Sequence, residues 1–167
     1  MPRLYLLRHA KSSWDDPGLV DRDRPLAPRG RRAAERLAEH LRTEGVRPDL
    51  VLCSPAVRAR ETLAAVAPAL GDPTAIVEDL LYGADADEVL ARLRELPDPT
   101  ECAMVIGHNP TLQDLTLDLA GEGEDLPRLR EKLPTGALVT LVFEGRWRDL
   151  RPGAATLVGF VVPRDLR

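Results

Sequence analysis

Three short apolar runs, Leu4-Tyr5-Leu6-Leu7, Leu50-Val51-Leu52-Cys53 and Cys102-Ala103-Met104-Val105-Ile106, constrain what this chain can fold into more than any other feature. Each has the length of a strand, and each gives way to a segment that carries helix signals. Further runs at 75–77, 137–143 and 156–161 also read as strands, and helices are expected near 28–44, 55–70, 85–96 and 110–120. Strand and helix therefore alternate through the first two thirds of the chain. That order predicts a mostly parallel sheet covered by helices on both faces, a three-layer α/β/α sandwich. The last two strands, separated by Gly145-Arg146-Trp147, read as a hairpin or an addition at the sheet edge. At 167 residues, 44% of them hydrophobic, the chain can bury one substantial core, and no Pro/Gly/Ser-rich linker divides it. One domain spanning 1–167 is expected.

The chemistry gathers where the apolar runs stop. The first meets Arg8-His9 with no turn residue between. Neutral imidazole can attack phosphorus, and a guanidinium fork fits phosphate oxygens two at a time. Alone, such a dipeptide reads as readily as a solvated strand end. The second run meets Ser54-Pro55, which reads as a helix start with Ser54 as N-cap and Pro55 at the first helical position. Arg58 then falls in the first turn, where a cation opposes the helix dipole unless an anion lies between. The competing reading pairs Arg58 with Glu61 or Glu35. The third run meets Gly107-His108-Asn109-Pro110, with a helix to follow from Thr111. Ligands of open α/β sheets collect beyond the carboxyl ends of the strands, so His9, Arg58 and His108 are expected to converge.

Four separated motifs in fixed order, Leu7-Arg8-His9-Ala10-Lys11, Arg24-Pro25-Leu26 before Gly30, Ser54-Pro55 with Arg58-Ala59 and Thr62, and Ile106-Gly107-His108-Asn109-Pro110, resemble the histidine phosphatase superfamily. The likeness is closer to its small SixA-type phosphohistidine phosphatase branch and runs over nearly the whole chain. It implies a phosphoglycerate mutase-like fold and a hydrolase in which His9 is the transiently phosphorylated nucleophile. Arg8 and Arg58 match the phosphate clamp and His108 the second histidine of the pocket. Arg24 matches a further phosphate or substrate contact, and Lys11, Ser12 and Asn109, beside these positions, are further candidates for phosphate or substrate binding. Many relatives have glycine where this chain has Ala10, which bears on the tightness of that turn.

Larger relatives place a glutamate after the third strand as general acid, and the nearest acid in this chain is Asp79. Asp79 reads equally as a loop residue capping a helix that begins near Asp85. An alkoxide leaves badly without a proton, whereas a phosphohistidine ring leaves as neutral imidazole when its other nitrogen carries hydrogen. A site with a weak or missing acid therefore suits P–N bonds. The expected substrate is phosphohistidine on a protein. The alternatives are a phosphomonoesterase acting on a small phosphorylated metabolite and a noncatalytic phosphate-binding module.

No cofactor is expected, and the chain lacks His-x-x-x-His, Cys-x-x-Cys or a clustered Asp pair at metal-ligand spacing. A net charge of −4 argues against nucleic acid as the main partner. Its local exception, Arg29-Gly30-Arg31-Arg32, opens a helix and reads as a solvated run or as a face for an acidic partner. The apolar runs are too short to span a membrane, and Met1 to Lys11 lacks the blocks of a signal peptide. Cys53 and Cys102 end apolar runs and suit a reducing compartment, so a cytoplasmic location is expected. Glu122-Gly123-Glu124-Asp125 reads as a mobile acidic loop. Trp14 reads as core packing or as a contact near the site.

Overall fold

The computed structural model describes residues 1–166 and contains one seven-stranded mixed sheet with five α-helices. In chain order the elements are β1 (Arg3–Arg8), α1 (Pro28–Thr43), β2 (Leu50–Cys53), α2 (Val57–Val66), β3 (Thr74–Val77), α3 (Ala86–Arg94), β4 (Cys102–Gly107), α4 (Thr111–Leu119), β5 (Ala120–Glu122), α5 (Leu126–Glu131), β6 (Leu138–Phe143) and β7 (Ala155–Val161). The sheet order is β3-β2-β4-β1-β6-β7-β5. Strands β3, β2, β4 and β1 are mutually parallel, β6 runs antiparallel to β1 and to β7, and β5 lies parallel to β7. The sandwich expected from the alternation of runs is the one observed. Among the described residues no helix is long and apolar enough to cross a membrane.

Why the apolar runs are unbroken follows from their place. Successive side chains of a strand point to opposite faces, and both faces here are covered. Leu4 and Leu6 of β1 join Ala103 and Val105 of β4 in a core beneath α3, α4 and α5. Tyr5 and Leu7 join Met104 and Ile106 in a second core beneath α1 and α2. Helix α1 turns Gly30, Ala34, Leu37 and Leu41 inward at helical spacing and stops at Gly45, whose φ of 68° suits glycine.

Several expectations at the element ends are corrected. Ser54 does not cap α2. That helix begins at Val57 behind Ala56; the Ser54 hydroxyl accepts the Ala56 N–H (3.2 Å) ahead of the helix and bonds the His108 ring, and the expected last turn, 67–70, is a 3₁₀ turn. The N-cap of α3 is Asp85, in a reciprocal capping box with Glu88, so Asp79 plays no part in it. Of the acidic stretch 122–125 only Glu122 departs from a loop: Ala120–Glu122 forms β5 at the sheet edge, 123–125 turn, and α5 begins at Leu126. Strands β6 and β7 do pair antiparallel, but β6 lies inside the sheet against β1 and the edge falls to β5.

Candidate active site

Register brings the site together. Arg8 pairs with Gly107 and Cys53 with Ile106, so β1, β4 and β2 end level with one another. His9, His108 and Ser54 each stand one residue beyond those ends. The chain leaving β1 enters α1 on one face, and the chain leaving β4 enters α4 on the other, which opens a crevice between adjacent strands. A cleft of about 710 Å³ lies there, lined by Arg8, His9, Arg58, His108, Arg24 and Asp21 among others. All four sequence candidates for the clamp and the nucleophile meet in it.

His9 is held by backbone on every side. Its N–H donates to the Gly107 carbonyl (3.1 Å), and the Gly136 N–H donates to its carbonyl (2.9 Å). The ring Nδ1 lies 2.7 Å from the Ala10 carbonyl oxygen. A carbonyl only accepts, so Nδ1 carries the hydrogen and Nε2 keeps its lone pair. Burial pushes the His9 pKa from the usual 6.5 to about 3, with His108, Arg58 and Arg8 acting in the same direction. The imidazole is therefore neutral at pH 7. The Ala10 N–H donates to Thr62 Oγ1 (3.0 Å), and Thr62 Oγ1 donates to the Arg58 carbonyl (2.8 Å), which ties the loop after β1 to α2. Gly30 secures the same loop from α1: a Cβ there would come within 2.0 Å of the Lys11 carbonyl oxygen.

The cations around His9 are fixed rather than waving. Arg8 donates to the Leu133 carbonyl (2.9 Å), and Arg58 donates to the Asp21 carbonyl (2.7 Å) and carboxylate (3.0 Å). Neither Glu61 nor Glu35 partners Arg58; Glu61 instead accepts from the Leu26 N–H and from Arg31. The Nε groups of both Arg8 and Arg58 are buried without a hydrogen-bond partner. Burial and the neighbouring Arg58 lower the pKa of Arg8, which registers the mutual repulsion of two guanidinium groups. An anion between the two guanidinium groups relieves that repulsion. His108 stands with its ring centroid 5.2 Å from that of His9. Its Nε2 shares a 2.6 Å hydrogen bond with Ser54 Oγ. Burial, with Arg58 next, lowers its pKa to about 4.

The remaining candidates divide. Arg24 lines the cleft, donating to Asp21 and to Ser12 Oγ (2.7 Å) and lying 3.5 Å from the centroid of the Trp14 ring. Ser12 therefore orients Arg24. Trp14 is 75% exposed, so it is a wall of the cleft and not core packing. Lys11 is exposed at the rim. Asn109 reaches the cleft, but its amide donates to Gln113 and to the Leu133 carbonyl. Asp79 lies apart from these residues: its side chain is 88% exposed and sits 3.6 Å from Arg22.

Five cleft residues, Asp21, Tyr82, Lys132, Pro134 and Thr135, had no signal in the sequence. Asp21, in the loop between β1 and α1, accepts from Arg24, from Arg58 and from the Tyr82 hydroxyl (2.7 Å). These bonds, that from Tyr82 foremost, hold its carboxyl well below the usual carboxylate range. Among the described residues it is the one carboxylate lining the cleft, and it is an anion. Among the described residues no three His, Cys, Asp or Glu side chains cluster as metal ligands.

Known proteins resemble this chain in sequence and fold. The sequence model of the histidine phosphatase superfamily (branch 1) matches residues 4–81. An uncharacterized protein of Mycobacterium tuberculosis is 43% identical over 162 residues, covering 95% of this chain and 100% of its own. The crystal structure of the putative phosphohistidine phosphatase SixA from Agrobacterium tumefaciens is 32% identical with a TM-score of 0.84, over 98% of this chain and 99% of that one. A protein histidine phosphatase SixA complexed with tungstate is 26% identical with a TM-score of 0.82, over 99% of each chain.

Proposed function

Because the chain belongs to the histidine phosphatase superfamily and is a phosphatase of that fold, we propose that it hydrolyses phosphohistidine on a protein, through a phospho-His9 intermediate and without a metal. Nε2 of His9 attacks phosphorus in line, the P–N bond of the substrate breaks, and its electron pair returns to the substrate imidazole. Arg8, Arg58 and His108 hold the oxygens of the transferring group, where charge spreads in the transition state. Water then attacks phospho-His9, the pair of the breaking bond returns to Nε2, and the water proton leaves with phosphate or solvent.

The observation that carries the phosphohistidine reading is the state of the cleft carboxylate. An ester needs a proton for its alkoxide, a contribution worth roughly 10²–10⁴ in rate. Asp21 is ionised and held by Arg24, Arg58 and Tyr82, and Asp79 faces solvent outside the cleft. Phosphohistidine needs no acid when the distal nitrogen of its ring is protonated. The same holds for the second step, since the Ala10 carbonyl keeps the hydrogen on Nδ1 of His9 and that ring departs neutral.

Steady-state kinetics on a phosphohistidine protein and on a panel of sugar and nucleotide monoesters test the reading. Phosphohistidine is expected to give kcat/KM at least about 100-fold higher, the lower end of what an acid contributes. Esters turned over faster would overturn it in favour of a metabolite phosphatase, and EDTA sensitivity would overturn the metal-free step.

A further inference from the structure

The cleft opens at one end into a second, larger groove of about 820 Å³, and the two share Lys11, Lys132, Pro134 and Thr135. Both halves of the chain build it: α1 from one side, and the stretch from α5 to Leu166 from the other. Its charge is one-sided. Lys11, Arg29, Arg36, Arg128, Lys132 and Arg164 line it, against the single carboxylate of Glu131, in a chain whose net charge is −4. Of these cations only Arg128 has an ion-pair partner among the described residues, Asp125 and, more distantly, Asp165. Arg29 stands in the first turn of α1, where it works against the helix dipole. Arg31, two residues on, is neutralised by Glu61. The basic run at 29–32 is thus split, with Arg29 given to the groove.

The floor differs from the walls. Half-buried Ala33, Pro134, Pro163 and Leu166 line it together with the buried Phe160 and Val162, and the Arg128 guanidinium lies 4.9 Å from the Phe160 ring centroid. A site for a compact polyanion converges several donors on one point. Here cations from both ends of the chain flank an apolar strip that leads to the nucleophile.

We propose that this groove docks an acidic, amphipathic segment of the phosphorylated protein substrate, its carboxylates on the flanking cations and its apolar side chains on the strip, so that the phosphorylated residue enters the cleft. The proposal rests on the protein-substrate reading above and names what selects that protein. Charge complementarity along the groove speeds encounter and fixes register, and it weakens with salt.

The probe is a fluorescent peptide of alternating Glu and Leu at helical spacing with one unphosphorylated histidine, and the control replaces every Glu by Gln. Anisotropy with the intact chain is expected to show the Glu peptide binding at least about tenfold more tightly than the Gln peptide, with that advantage shrinking as salt rises. The combined variant Arg29→Glu, Arg36→Glu and Arg164→Glu, which leaves the cleft untouched, is expected to weaken Glu-peptide binding about tenfold or more. Its kcat/KM on free phosphohistidine is expected to stay at the wild-type value. Equal binding of both peptides by wild type, or displacement of the Glu peptide by inositol hexakisphosphate at far lower concentration than the Glu peptide itself requires, would overturn docking. The salt titration on wild type decides the matter even if the variant misfolds. Tight Glu-peptide binding without turnover of phosphohistidine would leave docking intact and remove the phosphohistidine reading.

Discussion

Thr62 carries a load that its position on α2 conceals. Its hydroxyl has no exposure, accepts the Ala10 N–H at 3.0 Å and donates to the Arg58 carbonyl at 2.8 Å. Thr62→Val keeps the shape and removes both bonds. The Arg58 carbonyl sits on the helix and loses only an extra donor, but the Ala10 N–H is left buried and unpaired, which costs about 1–3 kcal/mol. For a chain of this size that lowers Tm by roughly 2–4 °C for each kcal/mol. The same peptide unit follows the His9 ring, and the Ala10 carbonyl holds its tautomer, so kcat is expected to fall as well. Urea unfolding of wild type, Thr62→Val and Thr62→Ser measures the first effect, and turnover the second. Thr62→Ser, which keeps the oxygen, is expected to recover most of the activity. A Thr62→Val protein as stable and active as wild type, or a Thr62→Ser protein as impaired as Thr62→Val, would refute the assignment.

Other consequences concern charge. His9 is buried neutral with its pKa lowered to about 3, against the usual 6.5 of the unfolded chain. Between those values the unfolded state binds the extra proton, so stability is full above about pH 6.5 and falls as pH drops, with a slope of up to about 1.4 kcal/mol per pH unit. Urea midpoints across this window are expected to show a shallower fall for His9→Asn, and an unchanged slope would contradict the burial argument. Asp21→Asn removes a negative charge beside the oxyanion site while the Asp21 backbone carbonyl keeps its hold on Arg58. Product inhibition by phosphate is expected to tighten about fivefold. Weaker inhibition would mean that the carboxylate serves chiefly to align Arg58 and Arg24.

What the sequence disclosed was local or periodic. The runs 4–7, 50–53 and 102–106 became β1, β2 and β4, with both faces buried. His9, Arg58 and His108 were legible because each follows the carboxyl end of such a run, and level strand ends did the rest. The second sphere was hidden. Asp21 and Tyr82 meet across 61 residues of sequence, and nothing in the local pattern of either points to the other. Ser54 carried a sound cap signal, yet its hydroxyl accepts the Ala56 N–H before the helix starts and also bonds His108, a partner 54 residues away that no local pattern discloses. Strand β5 has only three residues, too few for a period to show. The basic groove joins residues 11, 29 and 36 to residues 128–164, so no window of sequence contains it.

The central claim is that unprotonated Nε2 of His9 takes the phosphoryl group. Rapid acid-free quenching during turnover of radiolabelled phosphohistidine protein, followed by peptide mapping, tests it most directly. One labile phosphoryl group is expected on His9, attached at Nε2 and absent from His9→Ala. Label on Nδ1 or on His108, or steady turnover with no labelled enzyme, would contradict it.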